Sequence, residues 1–403
     1  MYYVHSTSIK SALQRDLDRF FGQLKGSDFS IREVTKGALS QARQKLNPWA
    51  FQRLNEVTVD TFYRKVEYYG WGGHRLVSVD GSTYVLPNHK TVKEEFGEHS
   101  FGPNADSKLC MARGSMLYDV FNHLTLDAQL GPYTESEHAL FLKHLDKILA
   151  GDLLLLDRGY PSIWLFFLLK ARGIEFCVRM KEDWWLQVRN FAKSDRVECE
   201  VVFSLPKKDR DKLADYPHLL DTTITCRLVK VILEDGTTEI LCTSLLDTVK
   251  YPYEEFGELY HYRWNEEEAY KLLKCRAEVE NFSGKTAISV KQDFFAKVFL
   301  MTLCAAYAFP IEEKVVEEYK ADEKRKFDQK INRTHALSVT QDILVLCTKY
   351  AVLIGVFLKH QFTQALKAFD HLVEKTREII RPGRSVVRNI KPKKTYSMTY
   401  KRL

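Results

Sequence analysis

From Asp152 to Asp157 the chain reads Asp-Leu-Leu-Leu-Leu-Asp. Four consecutive apolar residues between carboxylates predict a short strand buried on both faces. Alternating apolar and β-branched positions predict further strands at 75–80, continued at 83–86, and at 109–117, 123–130 and 175–179, with the second and third of these regions forming a hairpin across Tyr118–Asn122. Helical periodicity marks 135–149 and 162–171. The resulting order, β-β-β-α-β-α-β, is that of an α/β fold with a mixed sheet and helices on its faces. From 183 to 250 the character changes to strands at 197–203, 222–233 and 238–245, with Asp235-Gly236 as a hairpin turn, which reads as a β-rich insertion. Helical patterning returns at 253–280, 290–308 and 342–369.

Residues 1–68 are patterned as helices. Ser30-Ile-Arg-Glu33 fits a capping box, Gly37 suits a turn, and Ser40–Leu46 fits a short helix ended near Asn47-Pro48. Two readings stand side by side: an ordinary helical hairpin, or a helix-turn-helix that turns Gln41, Arg43 and Lys45 toward DNA. The organisation expected is a helical region at 1–70, the candidate for DNA contacts under the second reading, a core in two parts at 71–182 and 251–310, the insertion at 183–250, and a helical region with a basic tail at 311–403.

Composition adjusts this picture in three ways. At 45% hydrophobic, the 403 residues can bury a sizeable core. The apolar stretch 298–310 is too short to span a bilayer and 343–358 carries Lys349, so both predict core helices and no membrane partner. The start of the chain is polar up to Lys10, unlike a signal peptide, and the eight cysteines form no Cys-x-x-Cys pair. Both features suit the reduced cytoplasm and indicate neither a zinc ribbon nor a redox motif. The net charge of +7 is concentrated at the ends: residues 381–403 hold eight Lys or Arg and no acid. Basic ends around an acidic middle suit a polyanionic partner, although a solvated tail accounts for the last segment equally well.

The chemistry is carried by carboxylates. Asp80 closes Leu-Val-Ser-Val-Asp80 and Asp157 closes the leucine run, each followed closely by a glycine, Gly81 or Gly159, that lets the backbone turn. A carboxylate after such a run is costly to bury unpaired, so both are expected at the C-terminal ends of strands, where α/β sheets place their ligands. In the helix at 253–280, Tyr260, Arg263, Glu267 and Lys274 fall within an arc of roughly 60° at about 100° per residue. Glu266 and Glu268 lie about 100° to either side. One face thus offers a carboxylate for a hard divalent cation beside groups suited to phosphate oxygens. Trp264, on the shoulder of that face, is either a base-stacking residue or a core residue. Taken singly, each Asp equally suits a helix cap; three together suit two Mg²⁺ ions and an in-line phosphodiester displacement.

The spacing Tyr260-x2-Arg263-x3-Glu267-x6-Lys274 resembles the YREK signature of the insertion-sequence-four family of bacterial DDE transposases. Val79-Asp80-Gly-Ser82 resembles that family's first acidic motif and Leu156-Asp157-Arg-Gly-Tyr160 its second, while Glu280–Thr286 and Ser40-Gln-Ala-Arg43 are also similar. The resemblance implies a ribonuclease-H-like core interrupted by a β-rich insertion, with Asp80, Asp157 and Glu267 as catalytic metal ligands. It implies Tyr260, Arg263 and Lys274 as phosphate-binding residues, Mg²⁺ (with Mn²⁺ able to substitute) as cofactor, and endonuclease and strand-transfer chemistry. The implied partners are double-stranded transposon ends and target DNA, bound by a homodimer at the nucleoid. The implied reaction is cut-and-paste: strand cleavage, hairpin formation, hairpin opening and strand transfer.

Overall fold

A computed structural model describes residues 13–100, 108–233, 236–352 and 356–380. The basic tail after 380, with its expected terminator Arg381-Pro-Gly383, and Asp235 of the expected hairpin turn lie outside the described residues. The chain divides into two compact units: Met1–Arg64, Tyr84–Ala112 and Lys271–Leu403 in one, Lys65–Thr83 and Arg113–Tyr270 in the other.

The first unit begins with helices α1 (Leu13–Lys25), α2 (Lys36–Lys45) and α3 (Trp49–Lys65). The cap of α2 is Thr35, whose hydroxyl accepts the Ala38 N–H, so the Ser30–Glu33 capping box does not form and Gly37 sits inside the helix rather than in a turn. Asn47 instead caps α3, accepting the Trp49 N–H at 3.0 Å.

Strand β1 (Leu76–Val85) leads from the second unit into the first, where α4 (Lys90–Phe96) and β2 (Glu98–Ser100) follow. Strand β3 (Lys108–Asp119) pairs antiparallel with β2 at its start and leads back into the second unit. There β4 (Thr125–Pro132) pairs with β3 as expected of a hairpin. Then come α5 (Glu137–Leu142), β5 (Leu153–Leu156), α6 (Ile163–Ala171) and β6 (Glu175–Met180). The expected helix at 135–149 is therefore a six-residue helix followed by a 3₁₀ turn.

The sheet of the second unit runs β4-β3-β1-β5-β6, with β5 parallel to both β1 and β6. This is the mixed sheet expected from the order β-β-β-α-β-α-β. All four leucines of β5 are fully buried, which explains the unbroken apolar run of a central parallel strand. Beyond α7 (Leu186–Ala192), strands β7 (Glu198–Ser204), β8 (Thr223–Ile232) and β9 (Thr238–Thr243) extend this same sheet in the order β6-β9-β8-β7. The insertion is thus a continuation of the core sheet, joined by antiparallel pairing of β6 with β9.

The helix expected at 253–280 is broken. Helix α8 (Phe256–His261) ends before Arg263 and α9 (Trp264–Lys271) begins after it. Bonds from the N–H of Arg263, Asn265 and Glu266 to carbonyls three residues back tighten the chain there. The stretch Leu272–Arg276 then loosens into a π-turn.

The first unit resumes at Lys271 and is built around α10 (Ala287–Glu318). Among the described residues α10 alone is long and apolar enough to cross a membrane, yet 72% of its most apolar window is buried in protein. A short pair of strands, β10 (Gln329–Ile331) and β11 (Arg377–Ile379), brackets α11 (Arg333–Val352) and α12 (Val356–Lys375). The single helix expected at 342–369 is thus two, packed on one another and on α10.

Candidate active site

The site grows from the place where β1 outruns its neighbour. Pairing of β1 with β5 ends at Val79 opposite Leu156, so Asp80 and Asp157 are the next residues on two adjacent parallel strands. Asp80 lies in the middle of β1 rather than at its end, as the alternation had suggested, because β1 continues to Val85. Gly81 makes no sharp turn there. A Cβ on Gly81 would stand 3.2 Å from Glu137 Cγ, and one on Gly159 would stand 3.4 Å from Glu137 Oε2. Both glycines therefore leave room for a carboxylate from the first turn of α5, which nothing in the sequence pattern singled out.

Helices α8 and α9 supply the facing wall. Arg263, in the break between them, is 4% exposed. Its Nη2 lies 3.2 Å from Glu267 Oε1 and its Nη1 4.0 Å from Asp80 Oδ2. Burial alone would lower its pKa, but Tyr260, Asp157, Asp80 and Glu267 together outweigh burial and leave it raised. The Tyr260 hydroxyl donates to the Leu156 carbonyl at 3.2 Å and reaches Asp157 Oδ1 at 3.5 Å. Burial pushes the Tyr260 phenol well above its usual range. Trp264 is 43% exposed, with the Arg263 guanidinium 5.4 Å from its ring centroid.

The structure therefore brings Asp80, Asp157, Tyr260, Arg263 and Glu267 together around one guanidinium. Lys274 belongs to the other unit, where the π-turn carries it and its ammonium lies 4.9 Å from the Tyr84 ring centroid. Asp80 is pushed up to about 6, first by burial and also by Asp157 and Glu137; the Gly81 N–H and Arg263 oppose the rise.

Glu266, the neighbour that helix phase had set aside, is fully buried. Its Oε1 accepts the Asp80 N–H at 2.9 Å, and burial holds its carboxyl well above the usual range. Tyr160, also buried, has a hydroxyl with no hydrogen-bond partner among the described residues, and it feels Asp80, Glu137, Glu266 and Asp157. Only position relative to the folded strands reveals Glu137 and Glu266 as neighbours of the site, whereas Tyr160 closes the second acidic motif.

The N-terminal candidates separate. Gln41 and Lys45 are exposed, whereas Arg43 turns inward to Asp293 at 2.9 Å and Ser283 at 2.6 Å. That ion pair ties α2 to α10 and to the 280–286 segment within the first unit, so Arg43 faces the protein rather than solvent.

With this geometry in view, comparison with known proteins is informative. Residues 71–304 match the family model described as the transposase DDE domain.

The chain belongs to the DDE transposase family.

Two curated Escherichia coli K12 proteins are similar to this chain. The transposase InsG of insertion sequence element IS4 is 26% identical over 60% of this chain and 53% of its own length. The putative transposase InsZ is 24% identical over 35% of this chain and 47% of its own length. The chain thus spans about half the length of these relatives. Among solved structures, a cryo-electron-microscopy structure of a piggyBac transposase synaptic complex with hairpin DNA matches with a TM-score of 0.40 and 10% identity, over 72% of this chain and 57% of that one. The family match and the IS4 relative agree with the resemblance to insertion-sequence-four transposases.

Proposed function

We propose that the chain is a cut-and-paste transposase that binds the terminal inverted repeats of a mobile element, with Asp80, Asp157 and Glu267 as its catalytic metal ligands. The observation that carries this reading is the convergence of the three carboxylates on Arg263. Their oxygens are the hard donors that Mg²⁺ or Mn²⁺ takes. Burial is the first cause of the raised Asp80 pKa, and a divalent cation would offset the smaller share that comes from Asp157 and Glu137. Among the described residues no three His, Cys, Asp or Glu side chains stand grouped to hold one ion, and Glu267 Oε1 is paired with Arg263. A DNA phosphate competes well for that guanidinium, since two parallel N–H···O bonds suit it. Bound by these carboxylates, two cations would stabilise the attacking and leaving oxygens of an in-line displacement.

The remaining residues bind and orient. Arg263, and Lys274 further along the chain, would grip phosphate oxygens, while Tyr260 holds the end of the Asp157 strand beside the scissile bond. The exposed Trp264 ring would support a base unstacked by hairpin formation. Strand cleavage, hairpin formation, hairpin opening and strand transfer are each one displacement at phosphorus, so one site serves all four. Two transposon ends call for two copies of the chain on DNA, working at the nucleoid in the cytoplasm.

The test is cleavage of end-containing DNA with Mg²⁺ or Mn²⁺ by the wild type and by Asp80→Ala, Asp157→Ala and Glu267→Ala. The reading expects hairpin-ended products from the wild type and none from the variants. Full activity in a variant removes that residue from the site, and nicks without hairpins or strand transfer favour a simple nuclease.

A further inference from the structure

We infer that Glu266 and Tyr270 are positioning residues that clamp the Asp80 peptide from one helix and so set the Asp80 carboxylate for reaction. The inference rests on the proposed role of Asp80. The Asp80 N–H donates to Glu266 Oε1 at 2.9 Å, and the Asp80 carbonyl accepts the Tyr270 hydroxyl at 2.7 Å. The same hydroxyl accepts the Met116 N–H at 3.1 Å, so it stands between β1 and β3. Further along this strand pair the bonding is direct, with the Val120 N–H on the Leu76 carbonyl. At Asp80 side chains therefore replace ladder bonds, and both come from α9.

Glu266 and Tyr270 lie four residues apart and so share one helix face. Glu267 follows Glu266 directly and points about 100° away, toward Arg263. A single turn of α9 thus fixes the Asp80 backbone with one residue and presents Glu267 with the next. The distance between these two carboxylates is set by the clamp rather than by long side chains alone. Glu266 is 0% exposed, and besides the Asp80 N–H its carboxyl feels the Ser78 hydroxyl and the Arg263 guanidinium. An apolar side chain would fill that space without burying a polar group, so packing alone gives no reason for a carboxyl there.

The test uses the full chain and four variants: Glu266→Gln, which keeps the acceptor oxygen; Glu266→Met, which keeps the volume and removes it; Tyr270→Phe; and Asp80→Asn as reference. Three quantities are read: end-DNA affinity, cleavage rate, and Mn²⁺ affinity of the DNA-free protein by electron paramagnetic resonance, with thermal melting to establish folding. Glu266→Met and Tyr270→Phe are expected to slow cleavage about tenfold or more, the scale of a displaced reacting group. Both should also weaken Mn²⁺ binding while leaving end-DNA affinity unchanged, and Glu266→Gln should restore cleavage and Mn²⁺ affinity. Wild-type cleavage and Mn²⁺ binding in a folded Glu266→Met overturn the clamp, as does a Glu266→Gln as damaged as Glu266→Met. If Glu266→Met fails to fold, Tyr270→Phe decides by the same two readouts. Should Asp80→Asn abolish cleavage while the clamp variants behave as wild type, only the clamp fails; if Asp80→Asn still cleaves, the site itself is misassigned.

Discussion

Replacing Asp80 with Asn should stabilise the cation-free protein while removing a proposed catalytic group. In the fold this carboxyl titrates at about 6 instead of 3.8, chiefly because it is buried. Between these two values the native state holds a proton that the unfolded chain has released. Stability therefore falls as pH rises through that window and stays lowered above it. A rise of this size disfavours the ionised native form by about 2–3 kcal/mol, and by somewhat less because water reaches part of the side chain. Asn has no proton to lose and can still accept the Gly81 N–H that Asp80 Oδ1 takes at 2.7 Å. The gap in unfolding free energy between variant and wild type should be near zero below about pH 4 and reach about 2 kcal/mol above about pH 6. Urea unfolding in a chelator, followed by circular dichroism across that range, measures it. Added Mg²⁺ should narrow the gap by stabilising the wild type. A gap that is flat with pH, or an Asn variant less stable at neutral pH, refutes the reasoning.

Arg43→Ala should cost about 3 kcal/mol in urea unfolding, because it strands the buried Asp293 carboxylate. The salt dependence of its DNA affinity should match the wild type, whereas a residue that neutralised a phosphate would lower the slope by about 0.9. Trp264→Ala should change stability by less than about 1 kcal/mol, since the ring is half-exposed, yet reduce the yield of hairpin ends several-fold. A large stability loss would return Trp264 to the core.

The fold was most legible where a strand's own residues carry its environment. The Leu153–Leu156 run announces a strand buried on both faces, and β7, β8 and β9 lie within a residue or two of their expected bounds at most ends. Their joining of the core sheet was not legible, because the β6–β9 pairing links segments about sixty residues apart with no local signal. Asp80, Arg263 and Glu267 stood out through strand pattern and helix phase. The same phase argument discarded Glu266, since turning away from the Glu267 face is what directs it at β1. Ideal phase also fails after Lys271, where the π-turn re-aims Lys274. Glu137 reaches the site only because Gly81 and Gly159 have no side chains, a relation visible in space and not along the chain.

The central claim, that carboxylates at positions such as Asp157 hold a reactive cation, is most directly tested by changing the ligand atom. Asp157→Cys replaces a hard oxygen with sulfur, which binds Mg²⁺ poorly and softer ions better. The account predicts that this variant binds end DNA as the wild type does, fails to cleave it in Mg²⁺, and regains cleavage in Mn²⁺. Cleavage in Mg²⁺ at the wild-type rate would contradict the claim.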